Sequence, residues 1–165
     1  MKLSDGVEQA IHSVAMLAGL TPGGVLAAAA LAEFHGVSPS YLLKHLQALS
    51  GAGILETVPG PKGGYRLARN PEEITLLDVV LAVEGREPAF RCSEIRQRGP
   101  NPVPEKPVRP CEINAAMLRA ERAYRTELGR VTIAEVLGEV AAHDTTGAIA
   151  ARGCAFLELH ERRST

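Results

Sequence analysis

The segment HGVSPS, residues 35–40, restricts the fold of this chain more than any other, because it predicts two helices joined by a tight turn. Gly36 is suited to ending an Ala-rich helix over roughly 25–35. Ser38 is a favourable N-cap, and Pro39 fits the first turn of the helix that follows. That second helix places four leucines at the spacing of a buried face: Leu42, Leu43, Leu46 and Leu49. The pattern predicts a helix-turn-helix.

A β-hairpin follows the second helix directly. Residues 54–58 (ILETV) and 65–67 (YRL) predict two strands, and the PGPKGG between them predicts a tight turn. A hairpin appended to a helix-turn-helix gives a winged helix. The predicted fold is therefore mainly α with a small β-hairpin wing.

Apolar stripes at helical spacing predict four more helices, at 5–19, 72–84, 112–128 and 132–142. Three pairs of residues resemble the capping boxes that start helices: Asp5 with Glu8, Thr75 with Asp78, and Thr132 with Glu135. The tail after residue 143 has no pattern that predicts an element.

The composition favours a packed helical core. Hydrophobic residues make up 45% of the chain, which excludes global disorder. Only 4% are aromatic and Trp is absent, so Ala, Leu, Val and Ile have to form the core. No apolar run reaches the roughly 18 residues of a membrane span, and the opening MKLSDG does not resemble a signal peptide. We therefore expect a cytoplasmic protein without structural disulfides.

Any DNA-binding surface has to be local, because the formal net charge is −1 and residues 1–70 carry five Lys or Arg against four acids. A recognition helix needs polar and basic residues on its exposed N-terminal face, and a wing needs cations for phosphates and glycines for close approach. The residues that meet these needs are Lys2, Ser38, Ser40, Tyr41, Lys44, His45, Lys62, Gly63 and Arg66. The alternative is an ordinary solvated helix face beside a hairpin.

Residues 85–110 form an irregular segment with a cysteine near each end. Five prolines between 100 and 110 exclude a regular helix there. Cys92 and Cys111 flank the segment, and Cys111 opens a helix whose dipole favours the thiolate that binds metals. Two thiolates form half of a four-ligand site, whereas the alternative is two free, buried cysteines. Cys154 is a further candidate ligand or, more simply, a free thiol.

Glu8 and His12 lie four residues apart on the flank of the first helix's apolar stripe. Their Cβ atoms should be roughly 6 Å apart, close enough to share one metal. The alternative is a surface ion pair. A [2Fe–2S] cluster needs four protein ligands, and mixed Cys and His ligation of such clusters is established chemistry.

Three stretches resemble the IscR/NsrR group of bacterial winged-helix transcription regulators, over about residues 1–140: MKLSDGVEQAIHSVAML, HGVSPSYLLKHLQALSGAGIL and GPKGGYRLARNPEEITLLDVVLAVEG. The resemblance implies a homodimer that binds double-stranded DNA and is crossed through the helix at 112–128. We expect no membrane contact and no small-molecule substrate. Many members carry an iron–sulfur cluster on three loop cysteines, whereas this loop has two.

The stretch CSEIRQRGP resembles instead the RsrR-type redox sensors of that group. Those hold a [2Fe–2S] cluster with two loop cysteines and with a Glu and a His from the partner's first helix. The resemblance therefore implies Glu8, His12, Cys92 and Cys111 as cluster ligands. Pro59 departs from the polar residue that family wings often have, so the operator sequence does not carry over.

These features divide the chain into a DNA-binding domain at 1–84, a cluster-binding loop at 85–111, a dimerisation helix with a short following helix at 112–142, and a tail at 143–165. The leading hypothesis is a regulator whose DNA affinity depends on the redox state or presence of a [2Fe–2S] cluster. The alternatives are a cluster-free winged-helix regulator with thiol-based sensing and a zinc-stabilised interaction module. No nucleophile–base motif is present, so an enzyme is not expected.

Overall fold

The computed structural model describes residues 3–102 and 107–163, so the candidate DNA contact Lys2 lies outside the described residues. The described helices are α1 (Asp5–Leu17), α2 (Ala28–His35), α3 (Pro39–Gly51), α4 (Leu76–Glu84), α5 (Glu112–Leu128), α6 (Ile133–His143) and α7 (Ala148–His160). The strands are β1 (Gly24–Val25), β2 (Leu55–Val58), β3 (Gly64–Leu67) and β4 (Arg162–Arg163). Short 3₁₀ turns occur at Pro71–Glu73 and Ile95–Gln97.

Helices α1 to α4 and the β2–β3 hairpin form a winged helix, which confirms the predicted fold. Gly36 ends α2 in the left-handed conformation, with φ of 65°, and Pro39 opens α3 as predicted. The core between the helices is aliphatic, and its fully buried members include Val14, Leu31, Leu42, Leu46, Leu49 and Val79. Because Leu42, Leu46 and Leu49 are buried in this core, the opposite face of α3 points to solvent. The prediction that Leu43 lies on the buried face is wrong, since it is 38% exposed.

The hairpin belongs to a larger strand arrangement than the sequence predicts. Strands β2 and β3 pair antiparallel, and Leu26 bridges Tyr65 on the other side of β3. Strand β1 precedes Leu26 and pairs antiparallel with β4 from the C-terminal part of the chain. The predicted start of a helix near residue 25 is therefore wrong, because residues 24–26 are extended and bonded to other strands.

Two of the three predicted capping boxes are present. Thr75 and Thr132 each accept a hydrogen bond at the side-chain hydroxyl from the backbone N–H of the third residue of the following helix. The backbone N–H of each threonine in turn donates to the carboxylate of that third residue, Asp78 or Glu135. The two threonines also form a β-bridge with each other, so α4 and α6 begin side by side. The prediction for Asp5 and Glu8 is wrong, because Ser4 is the N-cap of α1.

The side chain of Ser4 does not cap α1 but connects it to α4. Its Oγ donates to Glu84 Oε1 at 2.6 Å, and its backbone N–H donates to the same oxygen at 2.9 Å. These bonds hold the pKa of Glu84 below its ordinary value. The start of α1 is therefore fixed against the end of α4.

Within the described residues, none of the helices combines the length and apolar character needed to cross a membrane.

Candidate DNA-binding surface and metal site

The N-terminal half of α3 presents most of the predicted recognition residues to solvent. Ser38, Ser40 and Lys44 are exposed, and Tyr41 retains 42% of its accessible surface. The hydroxyls of Ser38 and Ser40 lie 3.1 Å apart at the turn that starts the helix. These groups offer hydrogen-bond donors and one positive charge to a phosphate backbone or to base edges.

His45 is the exception on this helix, because its side chain is only 5% exposed. The prediction that it lies on the exposed face is wrong: its ring packs on Gly6 of α1, where a Cβ atom would lie 2.4 Å from Cε1. Burial and the charge of Lys44 lower the pKa of His45, whereas Glu84 opposes this shift. The neutral ring fills the space between α1 and α3, with Tyr41 edge-on at 4.6 Å.

In the wing, Lys62 is exposed at the hairpin turn, whereas Arg66 is already paired. Its Nε and Nη2 each donate to a carboxylate oxygen of Glu56 at 2.9 Å, a bidentate arrangement. This pairing raises the pKa of Arg66 and lowers the pKa of Glu56. A DNA phosphate would therefore have to displace Glu56 in order to bind Arg66, whereas it could bind Lys62 without displacing another group.

The wing glycines have a structural role in closing the hairpin. A Cβ on Gly63 would lie 2.0 Å from the carbonyl oxygen of Val58, and one on Gly64 would lie 2.2 Å from that of Leu26. Side chains at these positions are excluded by the neighbouring backbone. The neighbouring backbone alone therefore requires glycine at both positions, whether or not the wing contacts DNA.

The two loop cysteines lie together, although 18 residues separate them in the sequence. The ligand atoms of Cys92, Glu94 and Cys111 all lie within 4.8 Å of one another, and each of the three residues is half-buried. We call this group the cysteine site. Glu94 was not predicted, although an acid two residues after a candidate ligand is a signal that could have suggested it.

Glu94 and Cys92 are bonded in both directions. The backbone N–H of Glu94 donates to Cys92 Sγ at 3.4 Å, and the Cys92 thiol donates to Glu94 Oε1 at 3.5 Å. The first of these bonds lowers the pKa of Cys92, but burial, the thiol's own bond to Glu94 and the charge of Cys111 raise it by more. Glu94 adopts a left-handed backbone conformation, with φ of 50°, which is unusual for a residue with a side chain.

Arg96 holds the two ends of the loop at the cysteine site. Its guanidinium bonds both carboxylate oxygens of Glu94 and donates to the backbone carbonyl of Arg109 at 2.9 Å. It also forms an ion pair with Glu112, the first residue of α5, at 3.4 Å. One cation therefore joins the segment after Cys92 to the segment before Cys111.

The start of the loop is attached to α5 by Glu121 and Arg125. Glu121, only 9% exposed, accepts from the backbone N–H of Ala89 at 3.1 Å and pairs with Arg125 at 2.6 Å. Arg125 also donates to the carbonyls of Arg86 and Glu87. These bonds fix residues 86–89, and thereby the position of Cys92, relative to α5.

Glu8 and His12 are placed apart from the cysteine site of the same chain. They line an open groove on α1 together with Asp5 and Ile11, and among the ion pairs of the described residues none joins them. The ring of His12 lies 5.7 Å from that of His35. Burial, and then the charge of His12, lowers the pKa of His35.

Cys154 is exposed on α7 and does not join the cysteine site. Its surroundings are a groove that also contains Thr21, Glu158 and Arg163. Within the described chain, its position supports a free thiol rather than a ligand beside Cys92 and Cys111.

Helix α5 leaves part of its apolar stripe without cover. Ile113 is 65% exposed and Met117 is 44% exposed, whereas Tyr124 and Leu128, further along the stripe, are partly covered near α4. Apolar side chains of this size on one face of a long helix are typical of a surface that another chain covers.

Comparisons with known proteins agree with this fold. The sequence model of Rrf2, described as an iron-dependent transcriptional regulator, matches residues 3–139. A protein of Lactococcus lactis, YffB, described as an HTH-type transcriptional regulator, is 35% identical over 139 residues, 84% of this chain and 88% of that protein. IscR of T. potens shares 21% identity with a TM-score of 0.65, over 91% of this chain and 96% of that one. The oxidized form of CymR from Staphylococcus aureus shares 25% identity with a TM-score of 0.60, over 82% and 95%.

Proposed function

Because this chain belongs to the Rrf2 family of transcriptional regulators, we propose that it is a homodimer whose DNA affinity is controlled by a [2Fe–2S] cluster. Family membership confirms that the chain is a winged-helix, DNA-binding regulator and not an enzyme. The cluster, the dimer and the redox control go beyond that membership. They rest on the geometry of the cysteine site and of α1 and α5.

The observation that carries the proposal is the convergence of Cys92, Glu94 and Cys111, with ligand atoms within 4.8 Å of one another. Two thiols are the donors that iron–sulfur clusters prefer, and carboxylate or imidazole oxygen and nitrogen atoms can complete the set. Arg96 bonds Glu94 and the carbonyl of Arg109, which holds the segments that carry the two thiols beside each other. The donor chemistry of the site therefore fits such a cluster.

Three donors from one chain leave a four-ligand cluster incomplete. Glu8 and His12 face an open groove outside the cysteine site of their own chain, which leaves them available to a partner's site. We infer that Cys92 and Cys111 bind from one subunit and that Glu8 and His12 bind from the other. Glu94 is the competing carboxylate, because it already lies beside both thiols.

The dimer that this ligand set requires is supported by the exposed part of the α5 stripe. A second copy packed through Ile113 and Met117 would remove two large apolar side chains from water. The same contact would bring the start of each α5, and therefore Cys111, towards the other subunit. We therefore also propose that residue 84 ends the DNA-binding domain and that residue 111 ends the cluster-binding loop.

Signal transfer to DNA would pass through α1. This helix contains Glu8 and His12. Its Gly6, two residues before Glu8, packs against His45 of the recognition helix α3. A bound [2Fe–2S] cluster would supply a one-electron redox change near these residues. A shift of α1 displaces α3, and a dimer that reads two half-sites is sensitive to such a shift.

Anaerobic purification with iron and sulfide analysis and an absorption spectrum tests the cluster. We expect visible absorption together with equal amounts of iron and acid-labile sulfide. A colourless protein without either would exclude the cluster, and one zinc per chain without DNA binding would instead support the zinc-stabilised module.

Three single variants identify the ligands: Glu8→Ala, His12→Ala and Glu94→Ala. We expect Glu8→Ala and His12→Ala to alter the visible spectrum while helix content by circular dichroism stays constant. The variant Glu94→Ala serves as the comparison. If it alone alters the spectrum, Glu94 is the ligand and the partner-derived pair is not.

DNA contact by the exposed face of α3 is tested with Lys44→Ala. We expect weaker binding to duplex DNA and a smaller dependence on salt, because each lost phosphate contact changes the slope of log K against log salt by about 0.9. The spectrum of the purified protein should not change. An unaltered salt slope would remove Lys44 from the interface.

A second candidate function is thiol-based sensing without a cluster. Cys92 and Cys111 already lie close together, and the similar CymR structure is of an oxidized form. A peroxide could join the two thiols as a disulfide, with the peroxide reduced to water. Thiol titration of metal-free protein after peroxide treatment, with Cys92→Ser as control, tests this: a loss of two thiols together with altered DNA affinity would support it.

A further inference from the structure

The C-terminal part of the chain is folded onto the winged helix. Residues 148–163 lie beyond the stretch 3–139 that matches the family. Leu157 of α7 is buried in the core cluster, and the ring of Phe156 lies 4.9 Å from that of Phe34 at the end of α2. Arg152 lies over the Phe34 ring at 4.2 Å and donates to the Phe34 carbonyl.

The strand after α7 extends this attachment to the strands near the wing. In β4, Arg162 pairs with Val25 and Arg163 pairs with Gly24. The carboxylate of Glu161, just before β4, accepts hydrogen bonds from the backbone N–H and the hydroxyl of Thr21. Because Leu26 after β1 bridges Tyr65 of the hairpin, the β1–β4 pair lies next to the β2–β3 pair.

Arg162 reaches from β4 to the turn of the hairpin. Its Nη1 donates to the carbonyl oxygen of Pro61 at 3.3 Å, next to the exposed Lys62 in the sequence. The neighbouring Arg163 lines a groove with Glu158 and Glu161, on the side of α7. The two arginines of β4 therefore have different surroundings, one at the wing and one near two carboxylates.

Arg162 adds a positive charge to the turn of the wing. Arg66 is held by Glu56 in a bidentate ion pair, so its charge is locally compensated. Arg162 donates to a neutral carbonyl, and within residues 3–102 and 107–163 its guanidinium forms no ion pair, so it adds a positive charge near Lys62. Two such cations at the turn of a wing form a surface suited to the phosphates of duplex DNA.

We propose that α7 and β4 form a second DNA-contacting element, which braces the wing and places Arg162 against a backbone phosphate next to the one bound by Lys62. The proposal rests on the DNA-binding function of the winged helix. Its contact is to phosphate and not to bases, so it contributes affinity without sequence preference.

The test compares Arg162→Ala with Arg163→Ala in the full-length chain. Binding to a mixed-sequence duplex of about 30 base pairs is measured by fluorescence anisotropy across a range of salt concentrations. We expect Arg162→Ala to reduce the slope of log K against log salt by about 0.9 per bound subunit, the value for one lost phosphate contact. The matched variant Arg163→Ala should keep the wild-type slope.

A third variant, Arg162→Lys, separates charge from bracing. It should retain the wild-type salt slope because the cation remains, whereas a slope equal to that of Arg162→Ala would overturn the phosphate contact. Wild-type slopes in all variants would overturn this proposal alone. A wild-type chain that binds no duplex at low salt would overturn the DNA-binding function together with it.

Discussion

Gly6 and His45 set the spacing between α1 and the recognition helix by direct contact. The ring of His45 occupies the volume in which a side chain at position 6 would lie, with Cε1 and Nε2 2.4 and 2.5 Å from a Cβ built there. Neither residue shows this in the sequence, because Gly6 lies in a polar stretch and His45 lies among recognition residues. The contact is tertiary, between residues 39 positions apart.

We predict that Gly6→Ala separates α1 from α3. The added methyl group has to displace the His45 ring, and overpacking of this kind typically costs about 1–3 kcal/mol. Urea unfolding should show a lower midpoint, and affinity for duplex DNA should fall because α3 moves. Gly138→Ala in α6 is the control, since a Cβ there meets nothing within 4 Å and should be neutral or slightly stabilising. Equal effects of the two substitutions would contradict the packing argument.

Acid should weaken the packing of His45 between α1 and α3. Burial lowers the pKa of His45 from its ordinary 6.5, so the folded state takes up its proton later than the unfolded chain does as pH falls. The stabilisation is therefore complete above pH 6.5 and declines as pH falls from there through the lowered pKa. We expect the difference in unfolding free energy between wild type and His45→Gln to shrink over this range. A difference that stays constant from pH 7 to pH 5 would argue against a buried, neutral His45.

At the scale of elements, α5 is the support on which the loop rests. Glu121 receives the backbone of Ala89 and pairs with Arg125, which in turn bonds the carbonyls of Arg86 and Glu87. The carboxylate is nearly enclosed and uses one oxygen for Ala89 and the other for Arg125. An uncharged amide in its place would offer one acceptor oxygen to these two donors and would leave Arg125 without its counter-ion.

We predict that Glu121→Gln loosens residues 86–89 and costs about 2 kcal/mol, the range for hydrogen bonds to charged groups. Hydrogen exchange of the amides at 86–92 should accelerate, and metal content should fall because Cys92 is no longer fixed. Glu127→Gln on the same helix is the control: its pair with Arg130 is about 70% exposed on both sides and is expected to contribute at most about 0.5 kcal/mol. Protection that is unchanged in Glu121→Gln would show that the loop is held by other contacts.

The elements differ in how far the sequence predicts them. Helix α5 has the bounds that its apolar stripe and the flanking Cys111 and Gly129 indicate, and the capping boxes at Thr75 and Thr132 are local patterns that the structure retains. Helix α7 and strand β4 escape prediction for physical reasons. The N-cap of α7 is a glycine without a capping side chain, and β4 consists of two residues whose strand character comes from pairing with β1.

The sequence predicts only some of the residues of the candidate site. Cys92 and Cys111 are identified by their chemistry and by the irregular loop between them, and the structure brings their ligand atoms together. The third member, Glu94, depends on a left-handed backbone conformation and on Arg96, neither of which a local sequence pattern indicates. Whether Glu8 and His12 join the thiols depends on a second chain, which lies beyond what one sequence determines.

At the scale of the whole molecule, the chain separates a well-packed winged helix from a long helix with an exposed apolar face. The structure attaches the tail after residue 143 to the winged helix through Leu157 and the β1–β4 pairing. We therefore propose to assign α7 and β4 to the DNA-binding unit rather than to a separate tail. Helix α5 then remains as the element that is available to a partner.

We predict that Met117→Asp prevents formation of the dimer proposed above. A carboxylate on the exposed apolar stripe of α5 would be desolvated in the interface at a cost of several kcal/mol, which a dimer of ordinary affinity does not tolerate. Sedimentation analysis should give the monomer mass of about 17.5 kDa. Arg119→Asp carries the same acid on the opposite face of α5 and should remain dimeric. If the partner supplies Glu8 and His12, the monomeric variant also loses the visible spectrum.

The position of Arg96 has a consequence for how the loop can vary in length. Because its guanidinium bonds Glu94 on one side and the carbonyl of Arg109 on the other, the two ends of the loop are held together at its base. The entropy of closing such a loop grows only with the logarithm of its length, so that doubling the number of residues costs about 0.6 kcal/mol. Residues could be inserted or removed there while Cys92 and Cys111 kept their places. Their separation along the chain is thus no guide to their separation in space, and the usual ligand-spacing rules for metal motifs do not apply to this pair.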